Sequence, residues 1–252
     1  MNIKALITSL ALLLAFTASD AVAAKKKNNR PPAGFEALFN GKDLTNWQVP
    51  EGDNGHWKVM EGVIDYDALS ESPARDKHLW TVEEFGDFEL HIDWKIKRTT
   101  GLYAMPIVLP DGSDKLDENG KVIKIPTPNA DSGIYLRGEG KSQINIWCWP
   151  IGSGEVYGYR RDKKMSPEVR AGVTPKVKAD NPVGEWNTFK VTMKGDRLTV
   201  ILNGKTVLDK AQLPGVPAKG KFALQHHGGM KNGEYSAASS LMQFRNVYIR
   251  RL

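Results

Sequence analysis

Gln143, Asn145, Trp147 and Trp149 alternate through SQINIWCWP, and their side chains suit a sugar. Amides offer fixed donors and acceptors to ring hydroxyls, while indole rings pack against the apolar C–H face of a pyranose. An extended strand sends alternate side chains to opposite faces. Ser142, Ile144, Ile146 and Cys148 therefore take the other side. Arg137 joins the amide face if Ile134 and Leu136 turn into the core while Tyr135 turns out. The same pattern also fits a cross-strand amide ladder with the two indoles packed beneath a loop, and this strand alone does not separate the two readings.

LQHHG, residues 224–228, is the second constellation. Parity places His226 with Phe222 and Leu224 toward the core, leaving Gln225 and His227 on the polar face. Two rings on opposite faces cannot converge on one ion, so the pair is a poor metal motif. His91 and Asp93 occupy the polar side of FELHIDWK, and Glu155 and Tyr157 do so in GEVYGYR if that segment is extended. A carboxylate, an imidazole and an arginine on one cleft wall make a workable acid–base set. An ordinary salt-bridged sheet face has the same composition. No phosphate-binding loop, dinucleotide fingerprint, G-x-S-x-G elbow or zinc-spaced Cys/His set is present.

The elements that must position these residues are strands. Phe88, Leu90, Ile92 and Trp94 alternate with Glu89, His91 and Asp93; Phe189, Val191 and Met193 alternate with polar residues before a turn at Gly195-Asp196. Asn203-Gly204 is a strong hairpin signal. Lys221–His227 and Leu241–Ile249 supply the last two strands. Helix is confined to single turns, with Thr81–Phe85 a candidate. Many short antiparallel strands with frequent turns predict an all-β, single-domain sandwich or jelly roll of two antiparallel sheets. Two stretches interrupt this rhythm, Leu102–Pro128 with its hairpin-like KLDENGKVIK and the basic Arg160–Pro182. Segments this long are more than connections.

The first 24 residues read as a cleaved secretory leader: Lys4, an apolar run over Ala5–Ala18, and Ala21-Val22-Ala23 at the cleavage point. A periplasmic or secreted location, with no membrane span after cleavage, is the expectation. Residues 25–33 read as a basic disordered tail and 34–252 as the domain. The formal charge is +6, but Lys25, Lys26, Lys27 and Arg30 supply four of those charges. The body's remainder of about +2 gives no reason to propose nucleic acid as a partner. The single cysteine, Cys148, excludes an internal disulfide framework and fits a small buried hydrophobe.

Seven segments occur together in order: GFEALFNGKDLTNW (34–47), DFELHIDWK (87–95), DSGIYLRG (131–138), GEWNTFKV (184–191), LNGK (202–205), LQHHG (224–228) and FRNVYIRRL (244–252). In these the chain resembles the secreted family of 3-keto-disaccharide hydrolases, also described as 3-keto-glucoside 1,2-lyase/3-keto-2-hydroxyglucal hydratase. The resemblance implies a concanavalin-like jelly roll. It also implies a glucoside partner already oxidised at C3 by a separate sugar oxidoreductase, followed by C2 proton abstraction, C1 elimination and hydration. On that footing His227 is the candidate base, Arg137 the candidate partner of the enolate or ring oxygen, and Asp93 a group that would orient Arg137 or His227. Gln143, Asn145 and Gln225 would bind hydroxyls, Trp147 and Trp149 would stack on the sugar, and Tyr157 and Glu155 would line the wall. No cofactor is firmly implied, and a divalent cation at the enolate is left open.

Two departures bear on chemistry. Many relatives carry a pattern like YEVQI where this chain has SQINI, so Gln143 stands in a carboxylate's place. LQHHG has His226 where Asp is common. The lost carboxylate motivates an alternative, a non-catalytic carbohydrate-binding module on the same sandwich. Convergence of His227, Arg137 and an acidic group in one cleft would favour the enzyme.

Overall fold

The structure is a computed structural model that describes residues 28–252. The leader expected over 1–24 and the first three residues of the tail lie outside the described residues. In chain order the strands are β1 (Glu36–Ala37), β2 (Trp47–Gln48), β3 (Lys58–Met60), β4 (Val63–Tyr66), β5 (Leu79–Thr81), β6 (Phe88–Ile96), β7 (Leu102–Pro106), β8 (Lys124–Pro128), β9 (Asp131–Leu136) and β10 (Glu139–Trp147). After two short helices, α1 (Tyr157–Arg160) and α2 (Pro167–Gly172), come β11 (Asn187–Lys194), β12 (Arg197–Leu202), β13 (Lys205–Gln212), β14 (Ala223–Leu224), β15 (Gly229–Lys231), β16 (Glu234–Ser236) and β17 (Met242–Arg251).

An eight-stranded sheet runs β13-β12-β11-β6-β17-β4-β3, with β1 also on β17, and a five-stranded sheet runs β10-β9-β14-β5-β2. All named pairings are antiparallel. This is the jelly-roll sandwich the alternation predicts. Phe88, Leu90, Ile92 and Trp94 of β6 and Phe189, Val191 and Met193 of β11 are buried against Ile134, Leu136, Ile144, Ile146 and Leu224 of the other sheet. Slipping β10 by one residue would expose Ile144 and Ile146 and bury two amides instead. Losing two such side chains forfeits about 3–6 kcal/mol, which fixes Gln143 and Asn145 on the outer face.

Two turns set the hairpins that matter here. Asn203-Gly204 (φ 50° and 80°) and Arg137-Gly138 (φ 53° and 69°) both adopt the left-handed pair that suits a two-residue loop. The Leu102–Pro128 segment forms an arm in which β7 pairs with β8, and the Gly229–Ser236 hairpin is a second projection. The helical turn expected at Thr81–Phe85 does not form. Its amides go sideways instead, Val82 N to Asn46 O (2.9 Å) and Phe85 N to Gly220 O (2.8 Å). Nor are residues 28–33 a free tail: Asn29 exchanges backbone–side-chain hydrogen bonds with Asn246 (2.7 and 2.9 Å) and donates to Gly62 O.

Candidate active site

The outer face of the five-stranded sheet gathers the amides in rows. Antiparallel register pairs Asn145 with Gly133 and Trp147 with Asp131. On the other side of β9, Ala223 pairs with Tyr135, Leu224 with Ile134, and Gln225 N donates to Gly133 O (2.9 Å). Gln143 therefore reaches Gln225 only by crossing over Gly133. A Cβ at Gly133 would sit 2.3 Å from Gln143 Nε2, so the missing side chain is the channel for that crossing. Gln143 Nε2 donates to Gln225 Oε1 and to Ser132 O (3.3 Å), and Gln225 Nε2 donates to the Tyr135 hydroxyl (3.3 Å). Asn145 lies in the same array, and its side-chain amide makes no hydrogen bond among the described residues. Of the two readings of this strand, the cross-strand amide ladder is the one that forms, and it lies on the outer face of the sheet.

Aromatic walls flank this ladder. Tyr135 clusters with His78 (ring centroids 4.6 Å) and Trp80 (5.8 Å, interplanar 22°), whose own rings are 6.2 Å apart. Trp80 is held by its indole N–H to Asp76 Oδ2 (2.8 Å). Burial pushes the Tyr135 hydroxyl up to about 12, so it stays neutral as a donor and acceptor.

The titratable groups sit at one end of the rows. Asp131 opens β9 with the parity of Gly133 and Tyr135, and continuing the β14 register puts His227 opposite it. Burial pushes the Asp131 carboxyl up to about 7, with the His227 charge acting in the other direction. His227 Nδ1 meets the Ala238 carbonyl, which can only accept, so Nδ1 carries a proton and neutral His227 keeps its lone pair on Nε2. Ser240 N donates to His227 O (3.0 Å) and steadies the loop. His226 turns inward as parity predicts, its Nδ1 against the Tyr66 hydroxyl of β4. Burial, aided by Lys77, lowers His226 to about 4 and keeps it neutral.

Arg137 and Asp93 do not belong to this site. Arg137 follows β9 in left-handed backbone, which swings its side chain to the end of the sandwich, six residues from Asp131 along the chain. Its guanidinium, 1 % exposed, donates to the carbonyls of Gly86 (3.0 Å), Gly195 (2.7 Å) and Pro217 (3.0 Å) and pairs with Asp87 (2.9 Å). Four of its five N–H groups are thus committed to the scaffold, away from the amide rows. Asp93 lies on the outer face of the other sheet, which points the opposite way. There it accepts from Thr188 Oγ1 (2.7 Å), Asn246 Nδ2 (2.7 Å) and Arg245 Nε (3.3 Å), fixing the irregular register of β17.

The indoles and their neighbours are also corrected. Trp147 and Trp149 stack on each other (3.9 Å, 6°) and are 3 % and 8 % exposed, so they offer a sugar no open platform. Trp149 Nε1 donates to the Tyr103 hydroxyl (2.7 Å), tying β7 of the arm to the sheet, while Tyr157 stands edge-on to both indoles (5.9 Å). Glu155 is fully buried and ion-paired to Arg160, which also meets Asp114 (3.2 Å). Burial outweighs that pairing and raises the Glu155 carboxyl to about 7. Glu155 and Tyr157 therefore serve the arm's base. Cys148 is half-buried against the core, and burial raises its thiol to about 11, consistent with a small hydrophobe.

Among the described residues, no three His, Cys, Asp or Glu side chains group as a metal would require.

The model of the 3-keto-alpha-glucoside-1,2-lyase-like domain matches residues 34–250. The chain belongs to that family. Its fold is shared with two crystal structures described as a "putative glycosyl hydrolase" from Parabacteroides distasonis. One is 23 % identical with a TM-score of 0.56 over 88 % of this chain and 85 % of that one. The other is 20 % identical with a TM-score of 0.54 over 90 % and 100 %. Comparison with curated proteins finds no match.

In this member of the 3-keto-alpha-glucoside-1,2-lyase-like family, the residues beside the ladder that the sequence did not single out are Asp131, His78 and Trp80, while Tyr135 turns outward as expected. The parity that selected Gln143 also selects Asp131 and Tyr135 once β9 is read from its first residue. His78 and Trp80 flank Leu79 at a strand of three residues, too short to display alternation.

Proposed function

We propose that this protein is an exported enzyme that cleaves 3-keto-glucosides by removing the C2 proton and eliminating the C1 aglycone. One observation carries the reading. His227, with a free ring nitrogen, and Asp131, with a carboxyl that burial keeps protonated toward neutral pH, face each other at the end of an uncharged amide surface. Two titratable groups in such different environments suit a base and an acid.

A ketone at C3 acidifies the C2–H bond. His227 Nε2 takes that proton, the bonding pair forms C2=C3, and the C3 oxygen becomes an enolate. The enolate re-forms the ketone as its electrons move into C1=C2 and the C1–O bond breaks. Asp131 gives its proton to the departing oxygen. The products are the aglycone alcohol and a 2-hydroxyglucal ketone. Hydration adds the water hydroxyl at C1 and, at C2, a proton from the His227 imidazolium after it has exchanged with solvent, while the second water proton returns to Asp131. The net reaction is hydrolysis. Gln143, the half-buried member of the ladder, hydrogen-bonds sugar hydroxyls in either sense without adding charge, and the buried Gln225 and Tyr135 hold it in place. Family membership and the leader pattern of residues 1–24 support substrate class and export. A sugar C3 oxidoreductase must supply the substrate.

The test is incubation with 3-keto-trehalose and a 3-keto-aryl-glucoside, with and without chelator, following aglycone and glucal. Release from the oxidised sugars, with the unoxidised ones untouched, is expected. Tight binding without turnover would instead establish the carbohydrate-binding module that Gln143 motivates. Equal release from oxidised and unoxidised glucosides would also overturn the proposal.

A further inference from the structure

Removing Arg137 from the site leaves the enolate oxygen without a partner, and the five-stranded sheet offers a different group for it. His78 precedes Leu79, whose side chain is fully buried, so His78 faces the outer side with Trp80. Continuing the β5–β14 register places it beside Gln225, one row from His227. Its side chain is 19 % exposed and its ring lies 4.6 Å from that of Tyr135.

The tautomer of His78 is set by the backbone. The amide N–H of His226 donates to His78 Nδ1 at 3.1 Å, and a backbone amide cannot accept. Nδ1 therefore holds the lone pair, and the proton of the neutral ring sits on Nε2. No acceptor among the described residues takes that Nε2–H. The charged groups around it are Asp76, whose Oδ1 is 3.8 Å from Nδ1, with His227, His226, Lys77 and Asp131 on the neighbouring segments. Burial, reinforced by His227, holds His78 below the usual histidine range, against the pull of Asp76.

We infer that His78 is the hydrogen-bond donor to the C3 oxygen, a neutral imidazole whose Nε2–H stabilises the enolate as it forms. The two histidines then have complementary tautomers. His227 is protonated on Nδ1 and accepts through Nε2, while His78 accepts through Nδ1 and donates through Nε2. The atoms they serve are adjacent in the substrate, C2–H for one and the oxygen on C3 for the other. A neutral donor keeps its proton through the elimination and adds no second cation beside the His227 imidazolium. This inference rests on the proposed function, but its structural half does not.

Long-range nitrogen–proton NMR on histidine-labelled protein at pH 7 reads the tautomers without turnover, with His78 assigned by its loss in His78→Phe. The Nε2–H form is expected; an Nδ1–H form or a cationic ring overturns the inference. If wild-type protein releases no aglycone, the proposed function fails, and the spectrum still decides the state of His78. With active enzyme, His78→Phe keeps a ring against Tyr135 and removes the donor. It should lower kcat about 10²–10³-fold with KM nearly unchanged, the usual cost of one oxyanion donor. His78→Gln, which retains an N–H, should recover part of that loss. Unchanged kcat in His78→Phe overturns the inference.

Discussion

Replacing Asp131 with Asn should make the protein more stable in alkaline solution while disabling it. Burial holds the folded carboxyl near 7, whereas an unfolded aspartate titrates near 3.8. The folded state therefore binds this proton more tightly than the unfolded chain. Its contribution is fully present below about pH 4 and is lost as pH rises toward 7. Moving the carboxyl from 3.8 to about 7 corresponds to an upper limit of about 4 kcal/mol. The His227 charge and the partial access of solvent to Asp131 reduce it. An asparagine has no such penalty. Thermal unfolding of both proteins from pH 4 to 8 should show Tm curves that meet at the acid end. They should separate by up to roughly 10 °C in favour of Asp131→Asn at pH 8, for a domain of this size. Glu155 titrates over the same range, but it is common to both proteins and cancels in the difference. A gap independent of pH, or a variant less stable than wild type at pH 8, would refute the burial argument.

Other substitutions separate site from scaffold. Gly133→Ala places a Cβ 2.3 Å from Gln143 Nε2 and 2.7 Å from Ile144 O, so it must displace that side chain and shift the β9–β10 backbone. Losing one amide hydrogen bond, about 1 kcal/mol, should raise KM for a 3-keto-glucoside roughly fivefold in steady-state assays. Arg137→Met strips three carbonyls and Asp87 of their donor, so chemical denaturation should register a loss of about 3 kcal/mol while kcat/KM per folded molecule stays unchanged. A selective fall in kcat there would return Arg137 to the site. Trp149→Phe removes the bond to the Tyr103 hydroxyl, and hydrogen exchange should quicken in Leu102–Pro106 but not in β6.

What the sequence made legible follows from periodicity. β6, β11 and β10 are long enough for alternation to declare an inner and an outer face, and their inner residues are the core. The same parity placed Gln143, Gln225 and His227 correctly and turned His226 inward. It failed where the chain leaves the strand. Arg137 shares Tyr135's parity, but left-handed backbone at residue 137 redirects it. Asp93 has the right parity on the wrong sheet, and parity within a strand says nothing about which sheet that strand joins. Trp147 and Trp149 point outward as read, but the arm built from Leu102–Pro128 covers them. Its docking through Tyr103 is a contact 46 positions away in sequence.

The central claim is that the bond to C1 breaks only after a proton leaves C2. Turnover of a 3-keto-aryl-glucoside in deuterium oxide, followed by proton NMR at early times against a control of product alone, tests it directly. Deuterium is expected at C2 of the released 3-keto sugar, in step with aglycone release, and His227→Gln should abolish both together. Aglycone released with C2–H intact would mean direct displacement at C1 and would contradict the account.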